Sequence, residues 1–89
     1  MITGADWRLA VDAESRLYDL QAVERRVSLK QRDDGGVPVL LLVNDTRTNR
    51  RVLREAGQSL RALFPLDART MLHALRRGQN PGGSGIVLL

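Results

Sequence analysis

The stretch Val37-Pro38-Val39-Leu40-Leu41-Leu42-Val43, followed at once by Asn44-Asp45-Thr46, decides how this chain is read. An apolar run of that length is far short of the ~20 residues that cross a bilayer. It also lacks the alternation of a strand with one wet face. It predicts a strand covered on both sides, as in a parallel sheet. Pro38 sits near the start of the strand, where a missing N–H does least harm. Asn44, Asp45 and Thr46 offer side chains that cap helices, so the strand is expected to hand over to a helix there.

Upstream, Asp33-Asp34-Gly35-Gly36 is a turn cluster. Before it, from Ser15 to about Arg32, the spacing is helical, with Leu17, Leu20, Val23 and Val27 on one stripe and Tyr18, Ala22 and Leu29 on a second, offset one. Such a helix can touch a sheet and a neighbour. Asp6 to Glu14 alternates, setting Trp7, Leu9, Val11 and Ala13 against Arg8, Ala10, Asp12 and Glu14, which predicts a strand whose two acids share a face.

Downstream, a second helix is expected over about Thr46 to Phe64, with Leu53, Ala56, Leu60 and Leu63 inward and Arg47, Arg50, Arg51, Arg54 and Arg61 outward. Gly57 weakens its middle, and Phe64-Pro65 ends it. Asp67 caps a short third helix through Arg77 that Gly78 closes. Gln79 to Gly85 reads as a Gly/Pro loop, and Ile86 to Leu89 as a last strand docked into the sheet. The expected fold is α/β, with the order β-α-β-α-α-β. A small three-stranded, largely parallel sheet carries packed helices, as a three-layer or open two-layer sandwich forming a single domain over residues 1–89.

Composition limits the chemistry. There is no Cys and one His, His73, so disulfides, thiolate metal sites and imidazole zinc sites lack their ligands, and His73 reads as a surface or boundary residue. Any metal would be a hard cation held by oxygens. Only Trp7, Tyr18 and Phe64 are aromatic, too few for a base-stacking surface. No charged-then-apolar leader opens the sequence, so the expected location is cytoplasmic, with no membrane partner. The net charge is +4 and the sequence pI about 11.0, the latter because Lys30 is the one lysine beside thirteen arginines. A charge of that size is compatible with nucleic acid without demanding it.

Two constellations stand out. Asp12 and Glu14 lie side by side as Mg²⁺ would require of its protein ligands; otherwise they are simply acids beside a helix N-terminus, where negative charge is favoured. Arg47, Arg50, Arg51 and Arg54 form a stripe able to clamp phosphates without regard to base sequence, or else a solvated helix face with only Glu55 nearby to balance it.

Asp12-Ala13-Glu14, Arg16-Leu17, Asp19, Gln21-Ala22, Arg25-Arg26, Leu29-Lys30-Gln31-Arg32-Asp33, Asp45-Thr46-Arg47, Asn49-Arg50, Val52-Leu53, Phe64-Pro65 and Gly82-Gly83 to Leu89 together resemble the C-terminal region that follows helix-turn-helix segments in actinobacterial regulators. The resemblance covers nearly the whole chain. That region is similar in turn to the PD-(D/E)XK restriction-endonuclease-like fold, in its second half only. There, a strand bearing an acid, a spacer and a Lys or second acid leads into a helix and a parallel strand. The resemblance implies that Asp12 and Glu14 take the acid positions, with Glu14 where Lys is usual. It implies that Gln21, Arg25 or Lys30 supplies a polar or basic group from the helix, so that Asp12, Glu14, Gln21 and Lys30 are the catalytic candidates of an active member. The further acid of that fold comes from an earlier strand, expected to lie outside these residues, as does the helix-turn-helix domain. Without it a metal on Asp12 and Glu14 would be weakly held, and metal-assisted phosphodiester hydrolysis is not expected of this chain alone.

The leading expectation is therefore a non-catalytic or vestigial nuclease-like domain of a DNA-associated transcriptional regulator, without a cofactor. It would oligomerise and contact the DNA backbone through Arg47, Arg50, Arg51 and Arg54. A sheet cut at its first strand leaves an unpaired edge, which predicts a homodimer. One alternative is a Mg²⁺-dependent endonuclease completed by an acid supplied in trans. Another is a protein-interaction module with no nucleic-acid contact.

Overall fold

The computed structural model describes every residue except Tyr18 and Asp34; the place of Tyr18 on the second stripe and of Asp34 in the turn lies outside the described residues. Strands β1 (Ile2–Thr3), β2 (Arg8–Glu14), β3 (Val39–Val43) and β4 (Gly85–Leu88) form one sheet in the order β1-β2-β3-β4. Helices α1 (Leu20–Asp33), α2 (Arg47–Ala56), α3 (Gln58–Leu63) and α4 (Ala68–Arg76) complete the chain. β2, β3 and β4 are parallel, with Asp12 opposite Leu41 and Leu42 opposite Val87. The sheet has four strands where three were expected, because Ile2 and Thr3 turn back at Gly4 and pair antiparallel with Leu9 and Arg8. Gly4 fits there because a Cβ would run into the Trp7 indole, and its N–H reaches the Trp7 carbonyl at 2.9 Å.

The unbroken apolar run is buried on both faces. Val39, Leu41 and Val43 meet Val23 and Val27 of α1 and Leu60 and Phe64 of the α3 region, whereas Leu40 joins Leu9, Met71 and Val87 on the side that α4 covers. The alternation in β2 resolves the same way, with Leu9 and Val11 on the α4 side and Ala10 on the α1 side. Burying apolar side chains of this size is worth about 1.5–3 kcal/mol each, so β3, hidden on both faces, anchors the sheet. Ser84, at the entry to β4, accepts the Val39 N–H at 2.8 Å and the Gln31 amide at 2.6 Å, tying β4 to β3 and α1.

Two helix boundaries differ from expectation. The first helix begins at Leu20 rather than at Ser15, because the Leu17 N–H is taken by the Asn49 side chain and Asp19 accepts the Ala22 N–H at the helix start. Of its two stripes only one is buried: Val23 and Val27 are in the core, while Ala22 and Leu29 are exposed. The span from Thr46 to Phe64 is two helices, broken at Gly57, whose φ of 57° and ψ of −122° leave the helical region in a way open mainly to glycine. The third expected helix is α4, capped by Asp67, which accepts the Thr70 N–H at 2.7 Å, and followed by Gly78 at φ 67°. Among the described residues no helix is long and apolar enough to cross a membrane.

Candidate functional site

The carboxyl ends of β2 and β3 carry the candidate residues. Asp12 and Glu14 fall on the face of β2 shared with Ala10 and stay partly exposed, although Leu41 and Val43 opposite them on β3 are buried. Both acids meet Arg26, on the second turn of α1. Its Nε donates to Asp12 Oδ2 at 3.0 Å and its Nη2 donates to Glu14 Oε1. The other Asp12 oxygen accepts the Ala13 N–H at 3.0 Å. Its bond to Glu14 above all, with the charge of Asp12 beside it, holds the Arg26 guanidinium above its ordinary pKa against an opposing cost of burial. Its side chain is 48% exposed, so solvent screening limits the contribution of this arrangement to about 1 kcal/mol or less.

The helix therefore does present a basic group to the acids, as expected, but the group is Arg26. Gln21 and Arg25 are exposed, because at about 100° per residue each lies roughly 160° around the helix from buried Val23. Lys30 is half-buried one turn beyond Arg26, and no ion pair joins it to Asp12 or Glu14 among the described residues. In the sequence Arg26 flanks the Val23–Val27 stripe, but Glu24 flanks it equally on the other side, so helical spacing alone does not say which of them reaches the end of β2. Among the described residues no group of three or more His, Cys, Asp or Glu could hold a metal ion. A Mg²⁺ ion reaching both carboxylates would compete with Arg26 for them.

The arginine stripe is intact on α2. Thr46 caps the helix, its Oγ1 accepting the Asn49 N–H at 3.1 Å. Asn49, Val52, Leu53 and Ala56 turn inward, leaving Arg47, Arg50, Arg51 and Arg54 exposed. Arg50 grips Asp45 with two bonds, one from Nε and one from Nη2 to Oδ2 at 2.7 Å, and this pulls the Asp45 carboxyl below its ordinary value. Among the described residues no carboxylate lies within ion-pair distance of Arg47, Arg51 or Arg54. Asp45, Arg47, Arg50 and Arg54 alone line a cleft of about 250 Å³. Arg61 is exposed too, on α3 rather than on a continuous second helix.

Between the two clusters sits Asn49, 1% exposed. Its Oδ1 accepts the Leu17 N–H at 3.0 Å, and its Nδ2 donates to the Ser15 carbonyl at 2.9 Å and the Asn44 carbonyl at 3.0 Å. One amide thus stitches the loop leaving β2 to the loop leaving β3. Sequence reasoning did not single it out as a core residue. The clue is its position three and four residues before Val52 and Leu53, on the inward stripe of the helix. His73 is exposed on α4, as expected of a surface residue.

No protein-family model, no curated protein and no solved structure matches this chain.

Proposed function

We propose that this chain is a non-catalytic, nuclease-like domain of a DNA-associated transcriptional regulator, that it touches the sugar-phosphate backbone through Arg47, Arg50, Arg51 and Arg54, and that it assembles as a homodimer. The observation that carries the reading is the cleft walled by Arg47, Arg50 and Arg54, in which one carboxylate, Asp45, is set against several guanidinium groups. Guanidinium groups without internal partners suit phosphate oxygens, which they bind in a planar, forked geometry. The Arg26 bridge favours the non-catalytic side, since the positive charge that a nuclease would take from a metal already comes from the chain.

Contacts of this kind release counter-ions. Anisotropy titrations of a mixed-sequence duplex against salt are expected to give a negative log–log slope of about 0.9 per phosphate engaged. Arg51→Ala together with Arg54→Ala should lower the slope by about 2, equally on unrelated sequences. A duplex that fails to bind at low salt, or a slope untouched by both changes, would remove the DNA reading and leave the protein-interaction module. The dimer would use the part of the β2 edge that β1 leaves uncovered; a monomer by light scattering at tens of micromolar would count against it.

The rival reading is a Mg²⁺-dependent endonuclease completed in trans. It is favoured by Asp12 and Glu14 sharing a single cation, and in it Gln21 and Lys30 would be the accessory groups. Metal-dependent nicking of plasmid, abolished by Asp12→Ala and by Glu14→Ala, would establish it.

A further inference from the structure

The opposite edge of the sheet carries a surface that the phosphate reading uses only at Arg54. Leu89 N–H donates to the Val43 carbonyl at 2.9 Å and Asp45 N–H donates to the Leu89 carbonyl at 2.8 Å. Leu89 and, by alternation, Val87 thus turn their peptide groups toward β3, while those of Ile86 and Leu88 turn away from it. Leu66 occupies the start of this outer edge, its N–H bonded to the Ser84 carbonyl at 3.0 Å and its backbone bridging Gly85 in parallel. Beyond Leu66, no strand flanks Leu88 among the described residues.

Beside this open half-edge runs a groove of about 750 Å³, with Leu53, Leu60 and Ile86 in its lining and Leu88 at the edge. Arg54 and Arg61, both exposed, stand in its lining too, and neither has an ion-pair partner among the described residues. The one acid there, Asp67, is committed to capping α4. An apolar floor, unpaired peptide groups and a surplus of guanidinium groups define the occupant by complementarity. A second copy of this chain would bring its own Arg54 and Arg61 to the same place, which like-charge repulsion disfavours.

We propose that the open half of the β4 edge docks an extended peptide, added as a strand along the Ile86 carbonyl and Leu88, with an apolar side chain in the groove and, two residues to either side of it on the same face, carboxylates facing Arg54 and Arg61. Main-chain hydrogen bonds give such a complex its affinity, and the alternate side chains that face the groove give its selectivity.

The probe is the blocked peptide acetyl-Ser-Glu-Ser-Leu-Ser-Glu-Ser-amide, whose Leu and two Glu share one face of a strand, with its Lys-for-Glu counterpart as control, titrated into the ¹⁵N-labelled full chain. Amide shifts should concentrate at Leu66, Ile86, Leu88 and Leu89, with exchange at Leu88 slowed and the Lys peptide silent. Arg61→Ala should weaken binding about tenfold, the scale of losing one charge-assisted contact. Leu88→Pro should abolish binding while leaving the fold in place, since that N–H faces away from β3 and proline is tolerated on an edge. Unmoved β4 amides at millimolar peptide, or equal binding of the Lys peptide, would overturn the proposal. So would protection of Leu88 in the free protein that rises with concentration, the mark of a second copy, or the same shifts produced by duplex DNA alone. Because Arg51 lies outside this groove, the salt slope lost with Arg51→Ala reports the phosphate reading separately.

Discussion

Two charged clusters lie at the carboxyl ends of adjacent parallel strands, and they are balanced in opposite ways. At the end of β2, Asp12 and Glu14 share one guanidinium, from Arg26. At the end of β3, Asp45 has Arg50 while Arg47, Arg51 and Arg54 go without an acid among the described residues. The first cluster is satisfied within the chain, and the second is left with donors to spare. A resemblance in residue type therefore does not decide activity: acids that share a cation from a neighbouring helix offer a metal a contested place, whereas arginines that the fold leaves unpaired keep their capacity for an outside anion. Both clusters depend on Asn49, which holds the two strand-end loops together.

The largest effect is expected where that dependence is cut. Asn49→Leu keeps the branched shape but strands the buried Leu17 N–H and two carbonyls, at a cost of about 3 kcal/mol. In a domain of this size that lowers Tm by roughly 10–20 °C. A calorimetric shift of only a degree or two would show that the loops do not need the amide, and that the two clusters are independent.

A smaller change sharpens the contrast at β2. Arg26→Ala leaves two carboxylates facing each other, so stability should fall by about 1 kcal/mol or less given the exposure of the side chain, and Arg26→Lys should restore part of it. The same Arg26→Ala variant should not acquire Mg²⁺-dependent cleavage of plasmid, because the third acid is still missing from the described residues. Nicking by this variant but not by the parent chain would turn the bridge into an inhibitory plug and revive the enzyme.

The smallest effect concerns pH. The Asp45 carboxyl is lowered by Arg50, and that of Asp67 by the Thr70 N–H at the cap of α4. A carboxyl lowered in the folded state binds fewer protons there than in the unfolded chain. Its contribution is therefore complete above the unfolded value of about 3.9 and is lost as pH falls through the lower folded value. Chemical denaturation should accordingly be insensitive to these two groups between pH 5 and pH 7 (roughly, from the same reference value) and decline in more acid solution. Asp67→Asn keeps a capping oxygen and should flatten part of that decline. Asp45→Asn should flatten another part and, by freeing Arg50, tighten duplex binding a few-fold. An unchanged acid profile in both variants would mean that neither carboxylate is lowered.

Much of this architecture was legible in the sequence because it depends on periodicity. Val37 to Val43 had to be covered on both sides whatever the rest of the chain did, and helices α1 to α3 on one face and α4 on the other cover it. Asp67 and Gly78 punctuate α4 as their chemistry requires. The arginine face of α2 followed from the same arithmetic, since the inward positions were apolar and the outward ones had nowhere else to go. Short elements carried too little pattern to be read: β1 is two residues long, and it exists because Trp7 and Gly4 let the chain fold back on β2.

What the sequence determined by itself is a mixed α/β chain, the placement of Asp12 and Glu14 on one face of a strand, and a basic surplus on one helix, all of them consequences of the repeat distance of a strand or a helix. What only the tertiary structure decided is which groups meet. Arg26 rather than Gln21, Arg25 or Lys30 reaches the acids, Asn49 serves as the polar hub, and the edge beyond Leu66 stays open. Those outcomes rest on distances between residues far apart in the chain. Such distances depend on how helices and sheet pack on one another, and no local period encodes them.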